Sequence, residues 1–460
     1  MYDAACAGSR EIKTLQIRWI GNLMTRTSQQ YRHATLGLSC LVILYACSPA
    51  RNETMNPQSS ALACVRQAWS SPVAAVRSAS AKPNWVRTPD IAVTRNIISL
   101  AAMALPSPTD LYADSALLVW DSRWGALAPP EGGLVFAYPR VFLLRGDQES
   151  TEPVLHLLWA EPDSVGTGNA YPANTRLTKV FWSVLDGNQH WSTPQMLLDG
   201  RHIRWSPNGS MLVRGRDGIS IEGVISAIPR QSGTPYAMYL RYDGRTWSET
   251  SVPGTEGAVY TSFVRGNDSS RYIAFIAAAR SVGTDANSVF VSASHDGAET
   301  WQSPSLVSLS GTREATEVST LVARNGTVHL VWAQNVSGGG IPQAIRHVES
   351  IDGGKTWSAP LDFAPGHAFT ALRTTIDLCD NLHVVYMHLA QSGPPHLDHV
   401  RFRDGWQTAA HLFPSLTSLE PVFKTADDGR LLLAFPGRER GSRPADGFRL
   451  FTAQLPTIDK

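Results

Sequence analysis

A short motif that recurs along the chain constrains its fold more than any other feature. The clearest copy runs from Ser350 to Trp357 and contains Asp352-Gly353. Asp-Gly favours a tight β-hairpin turn, because the turn needs φ > 0 and the Asp carboxylate can accept hydrogen bonds from the turn backbone. The copies contain the pairs Asp186 and Trp191, Asp243 and Trp247, Asp296 and Trp301, Asp352 and Trp357, and Asp404 and Trp406. The five Trp residues are 56, 54, 56 and 49 residues apart, which indicates a repeat of about 50 residues.

A second phrase, rich in β-forming residues, recurs between the motifs. Its copies are Leu155 to Ala160, Val328 to Ala333, Leu382 to Tyr386 and, more loosely, Tyr272 to Ile276 and Leu431 to Phe435. Tight turns bound these runs, so one unit predicts four antiparallel strands with the Asp-Gly turn between the last two. Four strands at this period are typical of a propeller blade, because single blades bury both faces only by stacking in a closed ring.

The number of motifs predicts the number of blades. We expect inner strands to start near Phe136, His202, Val259, Glu317, Phe369 and Glu420. The last of these blades lacks an outer strand, which Ala116 to Trp120 can supply. The sequence therefore predicts an all-β fold, a six-bladed β-propeller of four-stranded antiparallel blades closed by N- and C-terminal strands. Seven blades are the second choice.

The strand order also predicts where a binding site lies. The Asp-Gly turns share one face of the disc, and we expect their Asp and Trp residues to be structural. The variable loops after each second strand lie on the opposite face, together with the connections between blades. Because loops on a rigid scaffold commonly carry function, we expect the site on this loop-rich face.

The first part of the chain predicts export. The apolar run Leu36 to Ala46 is about half the length of a membrane-spanning helix and follows Arg26 and Arg32. Leu44 to Cys47 is similar to a bacterial lipobox, so we expect residues 1–46 to be an export signal, with Met24 as an alternative start, and Cys47 to be lipidated. An ordinary secretory signal is the alternative. Residues 47–114, rich in Ser, Ala and Pro, predict a flexible tether, followed by the propeller over 115–460.

The composition restricts the partners of the protein. The 460 residues carry a net charge of +1 with 17% charged residues, so we expect no nucleic-acid partner and membrane contact only through Cys47. The predicted location is the bacterial cell envelope, periplasmic or at the cell surface. We expect a monomer that binds a carbohydrate or an envelope protein. Beyond the signal and the lipidated Cys47, only Cys64 and Cys379 remain, for which free thiols are favoured over a bridge.

The motif Ser-x-Asp-Gly-x-x-Thr-Trp resembles the Asp-box, or BNR, repeats of the sialidase superfamily, over about residues 115–455. The resemblance implies a six-bladed propeller, three Arg residues that bind a substrate carboxylate, a Tyr nucleophile activated by a Glu, and an acid/base Asp. Arg140 matches the first Arg in part. Asp163, after the second strand of its blade, matches the Asp, and Glu317 matches the activating Glu.

The remaining sialidase residues are missing. Gln334 stands at the second Arg position, the segment Ser392 to His396 has no Arg, and Glu420 stands near the Tyr position. The leading hypothesis is therefore a lipoprotein that binds a glycan without sialidase catalysis, since losing members of a catalytic unit costs orders of magnitude. The alternative is a glycoside hydrolase using Asp163 and Glu317, with Glu420 as a further candidate. A third hypothesis is a structural lipoprotein that docks another protein.

Further polar residues are expected at blade entrances on the loop-rich face. The candidate ligand-binding residues are Arg140, Glu161, Tyr260, Arg313, His367 and Arg373. The residues His156, His329 and His383 occupy one repeat position in three blades, so they cannot converge on one ion and are expected to be structural. No metal or cofactor is predicted, because no recognised zinc spacing or nucleotide motif occurs.

Overall fold

All regular structure that the computed structural model describes is β-strand. The described residues are 69–76, 85–94, 96–105, 116–131, 137–145, 152–162, 177–198, 203–214, 220–229, 233–278, 287–308, 314–336, 341–390, 393–443 and 447–455. They lie in the compact unit Leu62–Lys460. In this part of the chain, no helix is long and apolar enough to cross a membrane.

The strands form seven antiparallel blades. The first strand of the chain is β1 (Val73–Val76). Blade one contains β2 (Trp85–Val93), β3 (Ile98–Leu105), β4 (Ala116–Asp121) and β5 (Gly125–Leu127). Blade two contains β6 (Ala137–Arg145), β7 (Pro153–Pro162), β8 (Leu177–Leu185) and β9 (Gln195–Leu198). Blade three contains β10 (Ile203–Arg214), β11 (Ile221–Pro229), β12 (Tyr236–Tyr242) and β13 (Trp247–Ser251).

The next three blades repeat this order. Blade four contains β14 (Tyr260–Arg265), β15 (Arg271–Ala278), β16 (Asn287–Ser294) and β17 (Ser305–Ser308). Blade five contains β18 (Ala315–Val322), β19 (Val328–Gln334), β20 (Ala344–Ser350) and β21 (Leu361–Phe363). Blade six contains β22 (Phe369–Ile376), β23 (Leu382–His388), β24 (His396–Phe402) and β25 (Ala410–Leu412).

Blade seven joins both ends of the propeller. Its inner edge is divided between β26 (Leu416–Ser418) and β27 (Val422–Thr425), which both pair with β28 (Leu431–Glu439). The next strand is β29 (Arg449–Leu455), and β1 pairs with it as the outermost strand. The buried Asp90 of blade one connects this blade to both of its neighbours. Its carboxylate contacts Lys424 Nζ of blade seven at 3.1 Å and accepts a hydrogen bond from the Val141 N–H of blade two at 3.0 Å.

The prediction of six blades is wrong. The strand from Ala116 does not complete the last blade, because it is the third strand of blade one and pairs with β3 and β5. The closing strand is β1 instead. Strands β1, β2 and β3 all lie within residues 47–114, where a tether was predicted. The turn at Asp121 to Trp124 corresponds to a degenerate copy of the motif, in which the Asp121 carboxylate accepts hydrogen bonds from Arg123.

The core of the blades is built from the second phrase of the repeat. Trp159, Trp332 and Tyr386 occupy equivalent second-strand positions and are among the largest fully buried side chains. Second strands lie between two others in each sheet and between neighbouring blades, so both of their faces are covered. This explains why they are continuous apolar runs instead of alternating ones.

The motif turns are held by their own side chains. In the clearest copy, the Asp352 carboxylate accepts hydrogen bonds from the N–H of Thr356 at 2.9 Å, the hydroxyl of Thr356 at 2.6 Å and the hydroxyl of Ser350 at 2.8 Å. The carboxylates of Asp186, Asp243 and Asp296 accept equivalent backbone bonds. These hydrogen bonds lower the pKa of Asp352, because they stabilise its charged form.

Stacked polar ring pairs repeat inside three blades. Each pair joins a second strand to a third strand, and the pairs are His156 with Trp182, His329 with His347, and His383 with His399. Their ring nitrogens are 3.1, 3.0 and 3.0 Å apart, which are hydrogen-bond distances. As the repeat implies, these His residues stay in their own blades and do not converge. Burial lowers the pKa of His156 and His329 to about 4 and that of His347 to about 3.

A buried ion cluster connects blades three and four. The Glu222 carboxylate, 1% exposed, accepts hydrogen bonds from Arg271 Nε and Nη2, both at 2.9 Å. It also accepts bonds from the Tyr239 hydroxyl at 3.1 Å and from Arg265 Nη1 at 3.2 Å. All its partners come from β12, β14 and β15, so the cluster fixes how the two blades stack.

Cys379 is disulfide-bonded, so the expectation of a free thiol at this position is wrong. Its partner lies outside the described residues.

Candidate functional site

The loop-rich face is where first strands begin and second strands end. The predicted starts of the inner strands lie within two residues of the observed ones, from β6 at Ala137 to β27 at Val422. The candidate residues Arg140, Tyr260, Glu317 and Arg373 therefore stand on inner strands of four different blades.

Glu317 is the residue that connects the inner strands of blades five and six. One oxygen of its carboxylate accepts the N–H of Ala371 at 3.0 Å, and the other accepts the N–H of Leu372 at 2.9 Å. The pairing of β22 with β23 shifts register between Thr370 and Arg373, and Ala371 has φ of 55°. The strand is irregular and left-handed at this point, and its pairing with β23 leaves these two N–H groups without a strand partner. The Glu317 carboxylate accepts their hydrogen bonds instead.

The same carboxylate positions Arg373. The Arg373 Nη1 lies 3.5 Å from Glu317 Oε2 and donates a hydrogen bond to the Leu372 carbonyl at 2.8 Å. The Arg373 side chain remains 44% exposed, so its guanidinium is oriented yet accessible. Tyr260 stands on the neighbouring strand β14, and its pKa is raised by burial and then by the charge of Glu317. The structure thus brings Tyr260, Glu317 and Arg373 together.

Arg140 and Glu161 lie elsewhere, on blade two. Arg140 donates to the carbonyl of Pro139, and Glu161 pairs in register with Lys179. Burial raises the pKa of Glu161, and the nearby charge of Lys179 opposes this rise. Among the described residues, no hydrogen bond or ion pair joins either side chain to Glu317.

Glu420 occupies the break between β26 and β27, followed by Pro421, and is half-buried. Three predicted site residues, Asp163, Arg313 and Cys47, lie outside the described residues.

A group of polar side chains that the sequence analysis missed surrounds Asp398 on blade six. His367, His388, His396 and His411 each place a ring nitrogen within 3.6 Å of its carboxylate. Only His367 was a candidate. The pairing of β23 with β24 could have indicated this group, because His388 at the end of β23 lies directly opposite His396 at the start of β24. These residues are the ones in this region that could hold a metal ion.

Comparison with solved structures identifies proteins of similar fold. No protein-family model matches the chain, and no curated protein does. A polysaccharide lyase described as an ulvan lyase has a TM-score of 0.52 at 14% identity, over 80% of this chain and 94% of that chain. A protein of unknown function from Dyadobacter fermentans has a TM-score of 0.49 at 14% identity, over 84% and 98%. The intramolecular trans-sialidase from Ruminococcus gnavus has 0.41 at 13% identity, over 82% and 96%.

Solved sialidases and polysaccharide lyases are thus among the structural neighbours. At these identities the likeness concerns the fold alone, which is a β-propeller.

Proposed function

We propose that the loop-rich face binds an anionic glycan, with Arg373 pairing with a carboxylate or sulfate of the ligand. The observation that carries this proposal is the Glu317 carboxylate, which holds the irregular turn of β22 and orients an accessible guanidinium. A guanidinium held in this way suits planar anions, because its N–H groups donate in a fixed fork. Tyr260 adds an aromatic ring and a hydroxyl on the neighbouring strand.

The contacts of Glu317 favour binding over hydrolysis. Both of its oxygens already accept backbone hydrogen bonds, so transferring a proton to a leaving group would require loosening the turn that positions Arg373. An acid or nucleophile in a glycosidase must instead point an oxygen at the scissile bond. In this proposal its role is to position Arg373.

One structural neighbour has a described ligand, and this ligand supports the proposal that the glycan is anionic. The ulvan lyase is described in complex with a GlcA(1-4)Rha3S saccharide, which contains a uronate and a sulfate ester. An exposed guanidinium on the loop-rich face fits a ligand of this charge better than a neutral sugar.

Changing Arg373 to Gln tests the proposal. We expect the affinity for uronate-containing oligosaccharides to fall about tenfold or more, because a charge-assisted hydrogen bond contributes about 1.5–3 kcal/mol. Titration calorimetry against acidic and neutral oligosaccharides measures this. Arg401→Gln, on the opposite face of the same blade, is the matched control and should bind as the unchanged protein does.

Equal affinity of Arg373→Gln and the unchanged protein, or equal binding of neutral glycans, contradicts the proposal. Release of reducing sugar that Glu317→Gln abolishes would support the glycoside hydrolase instead.

We further propose that the propeller is exported and anchored through a lipid on Cys47. The disulfide at Cys379 supports this, since disulfides persist in oxidising compartments such as the periplasm and cell surface. In a bacterial host the full chain should partition into the detergent phase, and Cys47→Ser should shift it to the aqueous phase. An unchanged partition of the Cys47→Ser protein would refute lipidation at this residue.

A further inference from the structure

Four imidazoles surround one carboxylate on the loop-rich face of blade six. Asp398 Oδ2 lies 3.5 Å from His367 Nε2 and 3.5 Å from His388 Nδ1. Asp398 Oδ1 lies 3.6 Å from His396 Nε2 and 3.3 Å from His411 Nδ1. Each oxygen of one carboxylate therefore faces its own pair of imidazoles.

Three of these separations are too long for good hydrogen bonds, whose donor and acceptor atoms lie about 2.7–3.2 Å apart, and the fourth, from His411 Nδ1 at 3.3 Å, is a long hydrogen bond. The structural pair of His329 and His347 shows the contrast, with ring nitrogens at 3.0 Å. Two ligands of one tetrahedral zinc ion, each bound at about 2.0–2.2 Å, lie about 3.4 Å from each other. The four contacts of Asp398 match this second spacing.

The packing of the rings distinguishes the two His pairs. The rings of His367 and His388 are parallel and stacked with centroids 3.3 Å apart, so their in-plane nitrogen lone pairs cannot both point at one ion. The rings of His396 and His411 cross at 67° with centroids 4.0 Å apart, which allows their lone pairs to converge. Such crowding disfavours protonated rings, because like charges this close repel each other. Neutral imidazole is the form that binds metals.

We propose that this cluster binds a divalent transition-metal ion of the zinc class through His396, Asp398 and His411. The ligand atoms of these three residues lie within 4.8 Å of one another. Imidazole and carboxylate ligands favour zinc-class ions over magnesium or calcium. Three protein ligands leave a coordination position open, as in zinc sites that contact substrates.

The site is open to solvent, so an ion can reach it. The side chains are 24%, 19%, 14% and 34% exposed for His367, His388, His396 and His411, whereas Asp398 is 8% exposed. The anionic carboxylate at the centre is thus the best shielded ligand, and the imidazoles form the rim.

Metal analysis of the full chain tests the proposal without any glycan. After chelation and dialysis, the unchanged protein should rebind at least one zinc ion per chain, and Co²⁺ in its place should give visible absorption bands of a coordinated ion. Asp398→Asn should weaken zinc binding by about a hundredfold, because it removes the anionic ligand. His411→Ala removes a second ligand at the exposed rim, with little risk to folding.

His156→Asn is the matched control, because it changes a buried imidazole in blade two that belongs to no candidate ligand set of the described residues. It should bind zinc as the unchanged protein does. The proposal is overturned if the chelated protein binds no zinc, or if folded Asp398→Asn and His411→Ala both bind zinc with unchanged affinity.

Discussion

Lowering the pH from 7.5 to 4.5 should destabilise the propeller by several kcal/mol, through its buried His residues. The pKa of His156, His329 and His347 lies at about 4, 4 and 3 in the folded protein, against an ordinary value of 6.5 for an exposed His. Between these values the unfolded chain binds more protons than the folded one, so stability is complete above pH 6.5 and is lost as the pH falls towards 4. His156 alone accounts for about 2.5 kcal/mol of this loss at pH 4.5.

The variant His156→Asn separates this contribution from the rest. Asn does not titrate in this range, and its side-chain oxygen can still accept the hydrogen bond from Trp182 Nε1. Unfolding at pH 7.5 and 4.5, monitored by denaturant titration, should show a smaller acid loss in the variant. His329 is a less direct test, since Glu349 lies 3.8 Å from it and Asp380 raises its pKa. Identical acid losses in the variant and the unchanged protein would show that His156 is not responsible.

Changing Arg271 to Met should cost about 3–5 kcal/mol of unfolding free energy, because it leaves the Glu222 carboxylate buried without its bidentate partner. Arg271 is 4% exposed and Glu222 is 1% exposed, so water cannot replace the lost hydrogen bonds. Thermal and denaturant unfolding of the purified propeller measure the effect.

Two further variants show whether the unpaired charge is the cause. Arg265→Met removes a partner that is 24% exposed and bonded once, so it should cost about 1 kcal/mol. The double variant Glu222→Leu with Arg271→Met removes both charges and should be more stable than Arg271→Met alone. If the double variant is instead the less stable of the two, the loss arises from packing.

Most blades of the propeller could be predicted from local sequence signals. Blade one could not, because its local signals are weak. Five blades carry the Asp-Gly motif, and in four of them the Asp carboxylate accepts hydrogen bonds from its own turn, so this signal needs no knowledge of distant residues. Blade one has only a degenerate copy at Asp121, and its second strand, Ile98–Leu105, contains mainly Ser, Ala, Met and Leu. Such residues have little intrinsic preference for strands, so burial between blades decides their conformation.

The sequence indicated where the candidate residues lie better than what they contact. Tyr260, Glu317 and Arg373 became candidates because they lie at or near the starts of inner strands, where a propeller directs residues towards its axis; their role in binding stays a prediction. The backbone bonds of Glu317 depend on an irregular register in the next blade, which no local pattern reveals. The cluster at Asp398 was missed because strand pairing brings together residues from 367 to 411, which no single phrase of the repeat contains.

The pairing of β1 with β29 also sets an order for folding. Blade seven combines residues 73–76 with residues 416–455, so its sheet cannot be completed until residue 455 has been synthesised. Until then β1 has no partner strand, and the other blades must form beside an open ring. Contacts across this distance form slowly, since the loop between them must close first. Closure is therefore the last folding step, and a chain released or translocated before it presents an unpaired strand at each end of the propeller.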